Sequence, residues 1–474
     1  MKPSSLKKRP FQHRILILGF GSIGRALLPL IFDHFDIKST QITIIAGDDS
    51  GLKIAKEFDV AFQLQEIGSN NYLDIIGKQI HHGDFVINLA FNISSASLIE
   101  LCNQKDALYM DTSIEPWREN FFKKNMALAD RTNYMLRENT LKLKGKVKKT
   151  AIMAHGANPG LASHFVKQAL LKMAADNTLS ISIPQTSQEW AALAQQLNIK
   201  AIHVAERDTQ ITNKPKLPGE FVNTWSVDAL IDEGLQPAEL GWGTHETHWP
   251  PDAHRHDVGP KCAIYLARPG ASTRVRSWTP SLGPIHGFLI THPETISLSN
   301  YLTLKKGDQV EYRPTVHYAY CACPDAVLSL MEMGGTEWKT QKHKRIIFNE
   351  IVNGTDELGV LLMGNSKGAY WFGSTLTVQE ARALAPYNNA TSLQVVAGVL
   401  SGMIWAIEHP DRGLVEAEDM DYAFIMDIAT PYLGKVAGYY TDWTPLQNRG
   451  TLFPEQLDQL DLTDPWQFLN IRVD

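Results

Sequence analysis

The stretch RILILGFGSIGRALLPL (14–30) begins as a leucine and isoleucine run, turns through three glycines, and continues with apolar residues at helical spacing. A short continuous apolar run predicts a strand buried on both faces, as in a parallel sheet covered by helices. Gly19, Gly21 and Gly24 have the full G-x-G-x-x-G spacing. In that pattern the first glycine makes the tight turn, the second lets backbone approach a pyrophosphate, and the third allows close helix–sheet packing. Ser22 and Ile23 lie where the helix opens, and its free N–H groups and positive dipole end suit phosphates. The next strand-like run, QITIIAG (41–47), is followed by Asp48 and Asp49. An acid there accepts hydrogen bonds from a ribose and repels the extra phosphate of NADP. Asp48 is the preferred residue, with Asp49 as a neighbour that exchanges roles with it. The cofactor expected is NAD; a glycine-rich turn without cofactor is the alternative.

Outward from this stretch, VAFQLQEI (60–67), DFVINLAF (84–91), ALYMDTS (107–113) and TAIMAHGANPG (150–160) predict further strands, with SSASLIELCNQ as a helix between two of them. Alternating strands and helices predict an α/β, doubly wound Rossmann-type sheet. Residues 118–139 predict one long amphipathic helix, and the five-lysine run LKLKGKVKKT (141–150) a solvated loop. From about residue 160 the rhythm changes to Pro-, Gly- and His-rich loops and antiparallel-looking strands such as CAIYLARP and ELGVLLMGN. The expected division is a dinucleotide-binding domain over 1–158, completed by the apolar helix near 392–410, and a second, α+β substrate-binding and dimerisation domain over 159–391. Residues 411–474 are expected to pack on the rest.

Composition narrows the functions. Of 474 residues, 44% are hydrophobic and 20% charged, and 51 acids against 45 bases give a net charge of −6. That offers no basic footprint for nucleic acid. Cys102, Cys262, Cys321 and Cys323 are too few and irregular for a disulfide framework. The basic opening MKPSSLKKRPFQHR precedes an apolar run too short for a signal peptide, and no stretch approaches the ~18–20 apolar residues of a membrane span. The expectation is a reduced, cytoplasmic chain without membrane or nucleic-acid partners.

Residues at the C-terminal ends of the early strands face the cofactor crevice of such a sheet. They include Asn88 to Asn92, Thr112 and Asn158. The His-rich THETHWPPDAHRHD (244–257) lacks the HExxH spacing and a defined third ligand, so it reads as a polar surface or interface loop, with no metal. NTWSVDALIDEG (223–234) sets Trp225 among Asp228, Asp232 and Glu233, and AERDTQ just upstream adds Glu206 and Asp208. An indole face attracts cations and carboxylates hold ammonium groups, a combination suited to a small organic amine. An exposed acidic helix with Trp225 in the core is the other reading.

Taken together, ILGFGSIGRALLPL, DTSIEPW, HGANPG, AERDTQ, NTWSVDALIDEG, ELGWGTHE, HGFLITHPET and NGTDELGVLLMG resemble the bacterial homospermidine synthase family, over nearly the whole chain. That family lies in a wider saccharopine-dehydrogenase-like group. The resemblance implies a homodimeric transferase that keeps NAD bound as a redox group. It would convert two putrescines into sym-homospermidine and ammonia, or putrescine and spermidine into homospermidine and 1,3-diaminopropane. By motif, it implies Trp225 as a cation–π platform and Glu206 and Glu233 as the holders of an ammonium group. Glu115 and Asp356 would be further negative partners, Asn158 would lie beside the reacting amine and the nicotinamide, and His292 would handle protons. Gly19, Gly21, Ser22, Ile23, Gly24, Asp48, Asn92, Thr112 and Asn158 would hold the cofactor. A saccharopine- or carboxyspermidine-dehydrogenase-like net oxidoreductase, or a non-catalytic NAD- and polyamine-binding sensor, are the rival readings.

Overall fold

The computed structural model describes residues 8–121 and 126–473. The opening run forms β1 (Ile15–Leu18), every residue of it buried, and passes through the glycines into α1 (Ser22–His34). β2 (Ile42–Ala46), β3 (Ala61–Leu64), β4 (Phe85–Asn88), β5 (Leu108–Asp111) and β6 (Ala151–Ile152) follow. All pair in parallel in the order β3-β2-β1-β4-β5-β6, and the short strand Leu414–Val415 extends the sheet beyond β6. Strand order reverses between β1 and β4, which opens a ligand crevice at their carboxyl ends.

Three expectations are corrected. The strand predicted through 150–160 stops at Ile152. Ala154 takes a left-handed φ of 56° and the HGANPG segment turns into α2 (Leu161–Asp176). The continuous helix expected over 118–139 is instead a turn of helix at Arg118–Phe121, a 3-10 turn at Leu128–Arg131 and a helix at Asn133–Leu141, while residues 122–125 lie outside the described residues. Thr132 ends the 3-10 turn and caps the last helix, its side chain accepting the Met135 N–H, so a new helix begins where a continuation was expected. Finally, among the described residues one helix does reach the length and hydropathy of a membrane span: Ala390–Glu408, 19 residues. It is the apolar helix expected near 392–410, and Thr391, Ser392, Gln394 and Ser401 interrupt its apolar residues. Here it is a core helix, 89% of its most apolar 18 residues being buried inside the protein.

The second sheet has eleven strands and is mixed. At its centre β7 (Ala201–Asp208) lies between β8 (Thr315–Cys321), which runs parallel to it, and β9 (Thr355–Met363), which runs antiparallel. Register sets Tyr320 beside Glu206, and Asp208 beside Asp356. Lys435–Thr441 pairs with Ala369–Thr377 in this sheet, so the segment after 411 is divided between both sheets. Two further helices matter to the site: α3 (Val227–Leu235), capped by Ser226, and α4 (Pro293–Tyr301). The long apolar helix, α5 (Ala390–Glu408), is capped by Asn389 and packs on α1. It passes so close to the HGANPG turn that a Cβ on Gly398 would stand 2.0 Å from the Gly156 carbonyl oxygen. Only glycine fits.

Candidate active site

The fingerprint has the geometry its glycines predict. Gly19 adopts φ +81°, and a Cβ there would meet Ala90 backbone at 2.8 Å. A Cβ on Gly24 would meet the Phe20 ring at 2.8 Å and the Gly19 carbonyl oxygen at 3.0 Å, so the third glycine lets the first turn of α1 close against the glycine turn before it. A Cβ on Gly21 would meet nothing within 4 Å, so open space lies beside the backbone where α1 begins. No side chain caps that helix start. Asp48 is exposed beyond β2 and accepts the Ser50 N–H at 2.9 Å.

A cavity of about 110 Å³ lies against this crevice. Its wall includes Ile23 from α1, Leu89 and Ala90 after β4, Thr112 after β5, and Asn158 from the HGANPG turn. The second domain closes it with Glu206, Trp225, Glu233, His292 and Tyr318. Trp225 is therefore neither on the outer surface nor remote from the dinucleotide crevice. It is half-buried, and its indole N–H donates to the Tyr320 hydroxyl at 3.2 Å. The acids of its segment separate. Asp228 is exposed and pairs with Lys344, Asp232 is buried, and Glu233 turns to the cavity.

Each wall residue is held by the fold. Tyr318 donates its hydroxyl to Glu206. Asn158 approaches Glu206, but both atoms of its amide are buried without a hydrogen-bond partner. Its turn is pinned from three sides. Asp111 accepts the Ala154 N–H at 2.6 Å, His155 meets the Gly398 carbonyl at 3.1 Å, and Glu294 accepts the Gly160 N–H at 3.0 Å. His292 Nε2 lies 3.3 Å from Glu233, while its Nδ1 has no partner. Glu115 accepts from the Ser113 hydroxyl at 2.7 Å and the Asn92 N–H at 3.1 Å. Asn92, at a left-handed φ of 63°, holds Glu115 through its backbone and does not itself line the cavity. Asp356 is also off the wall. It lies buried behind Glu206, where Thr391 donates to it at 2.5 Å.

Sequence reading missed Tyr318, Tyr320, Thr391 and Gln394. Tyr318 and Tyr320 alternate along VHYAY as same-face strand residues do, but nothing in that pattern points to the cavity. Thr391 and Gln394 line it from α5, a helix read only as apolar packing. The histidines of 244–257 have separate partners: His245 the Trp466 carbonyl, His248 Asp461, His254 the Tyr265 ring on which it stacks, and His256 Glu239. Among the described residues no group of three or more His, Cys, Asp or Glu is arranged to hold a metal ion.

The electrostatics follow from desolvated acids. Burial pushes Glu206 up to about 8, Asp232 to about 8, Glu115 to about 7 and Asp208 to about 6. Burial also lifts Asp356 well above the carboxylate range, with the charges of Glu206 and Asp208 adding to it. The folded state therefore binds more protons than the unfolded chain above pH 4, and stability falls as pH rises through this window. Buried histidines such as His155 and His317, held down at about 4, oppose this below pH 6.5. The expected result is a Tm of the ligand-free protein that falls between pH ~6.5 and ~8. A calorimetric scan in which Tm rises across that interval would contradict these shifts.

Comparison with known proteins bears on both halves. Residues 15–154 match the saccharopine dehydrogenase NADP binding domain, and residues 156–442 the saccharopine dehydrogenase C-terminal domain. The fold and cavity thus define a saccharopine-dehydrogenase-like two-part α/β protein. The chain is 49% identical over 468 residues to a homospermidine synthase of Mesorhizobium japonicum, covering 97% of this chain and 96% of that protein. It is 47% identical over 474 residues to that of Blastochloris viridis, covering 98% and 99%. A solved homospermidine synthase from Legionella pneumophila, in complex with NAD, is 61% identical and superposes with a TM-score of 0.93 over 99% of both chains. The chain belongs to the homospermidine synthase family.

Proposed function

We propose that this protein joins two putrescines into sym-homospermidine with release of ammonia, or uses spermidine as the aminobutyl donor to putrescine. The observation that carries this reading is the make-up of one wall. Glu115, Glu206, Glu233 and an indole face the cavity, and no lysine or arginine is among its described lining residues. A net dehydrogenase acting on an amino acid needs a cationic fork for the carboxylate, and this wall is built for a cation instead.

The residues fit NAD. Open space beside Gly21, the uncapped start of α1 and the acid at Asp48 are the features a dinucleotide pyrophosphate and ribose require. Gly19, Ser22, Ile23, Gly24 and Thr112 complete the proposed cradle, with Asn158 at its border with the substrate. When bound, NAD supplies an acceptor that takes a hydride from the amine-bearing carbon and returns it later in the cycle. The family matched over residues 15–154 is named for NADP, whereas the Legionella relative was solved with NAD; Asp48 favours the latter. Asp48→Ala should weaken NAD binding roughly tenfold, the loss of a hydrogen bond to a charged group, and narrow the gap to NADP. Titration with both nucleotides measures this; an unchanged ratio would remove Asp48 from the cradle.

Each amine of a diamine has an ordinary pKa near that of lysine, ~10.4, so the reacting end must shed a proton before its carbon gives up hydride. Trp225, Glu206 and Glu233 grip the amine, and Glu206, lifted to about 8, exchanges a proton with it. Asn158, its amide unpartnered and buried, orients the nitrogen. Carboxylates and an indole face fixed by the fold stabilise the iminium charge without reorganising. Within this reading residues 1–158 hold the dinucleotide, 159–391 hold substrate and make a homodimer contact, and the setting is cytoplasmic. The parallel sheet of the dinucleotide-binding part and the four free cysteines, Cys102, Cys262, Cys321 and Cys323, support the first and last of these.

Incubation with putrescine and NAD tests the reaction. Equal homospermidine and ammonia with no growing absorbance at 340 nm is expected. NADH accumulating with product would mean net oxidation, and ligand binding without ammonia would mean a sensor.

A further inference from the structure

Two more buried carboxylates, Glu294 and Glu418, lie behind the HGANPG turn. Glu294, at the start of α4, is 2% exposed; one carboxyl oxygen accepts the Gly160 N–H and the other has no partner. It lies in the electrostatic field of both Glu206 and Glu418. Beside it is a small cavity of about 10 Å³, walled by Glu294, Ser297, Glu416, Glu418 and Pro159 among others. A space of that size, with polar walls, holds about one water molecule. Pro159 also borders the substrate cavity. Ser297, Glu416 and Glu418 also border a separate open cleft of about 810 Å³. The small cavity thus shares walls with both. Glu418 is 3% exposed and accepts hydrogen bonds from the Ser163 and Ser297 hydroxyls, each at 2.8 Å.

Glu416 is committed elsewhere, to the buried Arg137 at 2.6 and 2.7 Å. Lys167 is buried between the Trp190 and Tyr301 rings and donates to the Glu418 carbonyl at 2.7 Å. Neither competes for the Glu418 carboxyl oxygen that the two serines meet. A carboxylic acid with an unused oxygen, a water-sized polar space, a hydroxyl and a second acid bordering open solvent are the parts of a proton path.

We propose that Glu294, Ser297 and Glu418 conduct the substrate's proton between the site and the outer cleft. This deepens the proposed function and rests on it. The ammonium gives its proton to the Glu206 carboxylate, leaving a neutral amine and a carboxylic acid. The proton passes to Glu294, whose carboxyl accepts the Gly160 N–H two residues beyond Asn158 of the cavity wall, then by way of the small cavity and Ser297 to Glu418, and leaves to solvent in the cleft. It returns by the same line when an amine product is reprotonated, so no net charge accumulates. These groups do not touch substrate; they act through Glu206.

The test uses full-length protein with NAD and putrescine. Glu418→Gln keeps an oxygen for both serine hydroxyls and removes the exchangeable acid. It should lower kcat roughly tenfold or more, below the 10²-fold typical of a direct general acid–base, with KM for putrescine and NAD affinity unchanged. Ser297→Ala should act in the same direction and is the second probe if the first variant misfolds. Added formate, small enough for the open cleft, should restore the rate of Glu418→Ala as its concentration rises, which a merely structural role would not permit. Wild-type kcat in both Glu418→Gln and Ser297→Ala, or a slow Glu418→Ala that formate does not speed, would overturn the relay. Failure of the parent reading would look different: wild type itself would release no ammonia.

Discussion

Trp225→Ala should lower the rate of homospermidine formation by about 30-fold or more while leaving NAD binding intact. A desolvated cation–π contact is worth about 2 kcal/mol or more, and each ~1.36 kcal/mol of lost transition-state stabilisation is a factor of ten. The indole borders the cavity but lies on a segment held independently of it. Thr224 is fixed by Asp208 and by Asn389, and Ser226 caps α3. Truncation also leaves the buried Tyr320 hydroxyl without the indole N–H, which costs about 1 kcal/mol of stability. Trp225→Phe loses that hydrogen bond too but keeps a weaker π face, so it should fall between wild type and Ala. Steady-state rates, with NAD titrations as control, decide the matter. An alanine variant as fast as wild type would leave the cation platform without support.

Glu206→Gln should have the larger effect on rate, about 10²-fold or more, because one substitution removes both a charge and a proton acceptor. Gln still accepts from Tyr318, so the local fold is retained. Stability should move the other way. Glu206 shares a buried cluster with Asp208 and Asp356, and its charge raises the pKa of Asp356. Losing that charge should raise the Tm of the ligand-free protein at pH ~8, where wild type carries the cost of ionising it. A variant both slow and less stable at that pH would mean Glu206 is structural. Opposite signs for rate and stability are the mark of a site whose charges are kept for function.

The α/β sheet was legible because its signals are local. Residues 14–30 carry a buried strand, a glycine turn of fixed geometry and a helix within one stretch, and each needs only its neighbours to form. Trp225, Glu206, Glu233, Asn158 and His292 were legible as residues of a likeness, and they do converge on one wall. What the sequence did not carry was depth. Asp356 and Glu206 lie in paired strands, yet Asp356 sits behind the wall because Thr391, far along the chain on α5, takes its carboxylate. Glu294 and Glu418, distant in sequence, share a water-sized space only because α4 and the segment after Val415 meet. The break between residues 118 and 139 was hidden for the opposite reason. Apolar spacing continued across a point where Thr132 starts a new helix.

The most direct measurement follows the fate of the borrowed hydride. Putrescine fully deuterated at both amine-bearing carbons, incubated with the enzyme and unlabelled NAD, should give homospermidine that retains every deuterium, since what the reacting carbon lends is returned to it. After repeated turnover the nucleotide should be recovered oxidised. Product that has lost a deuterium, with deuterated NADH accumulating in solution, would contradict the loan and return of a hydride inside a cavity built to hold a cation.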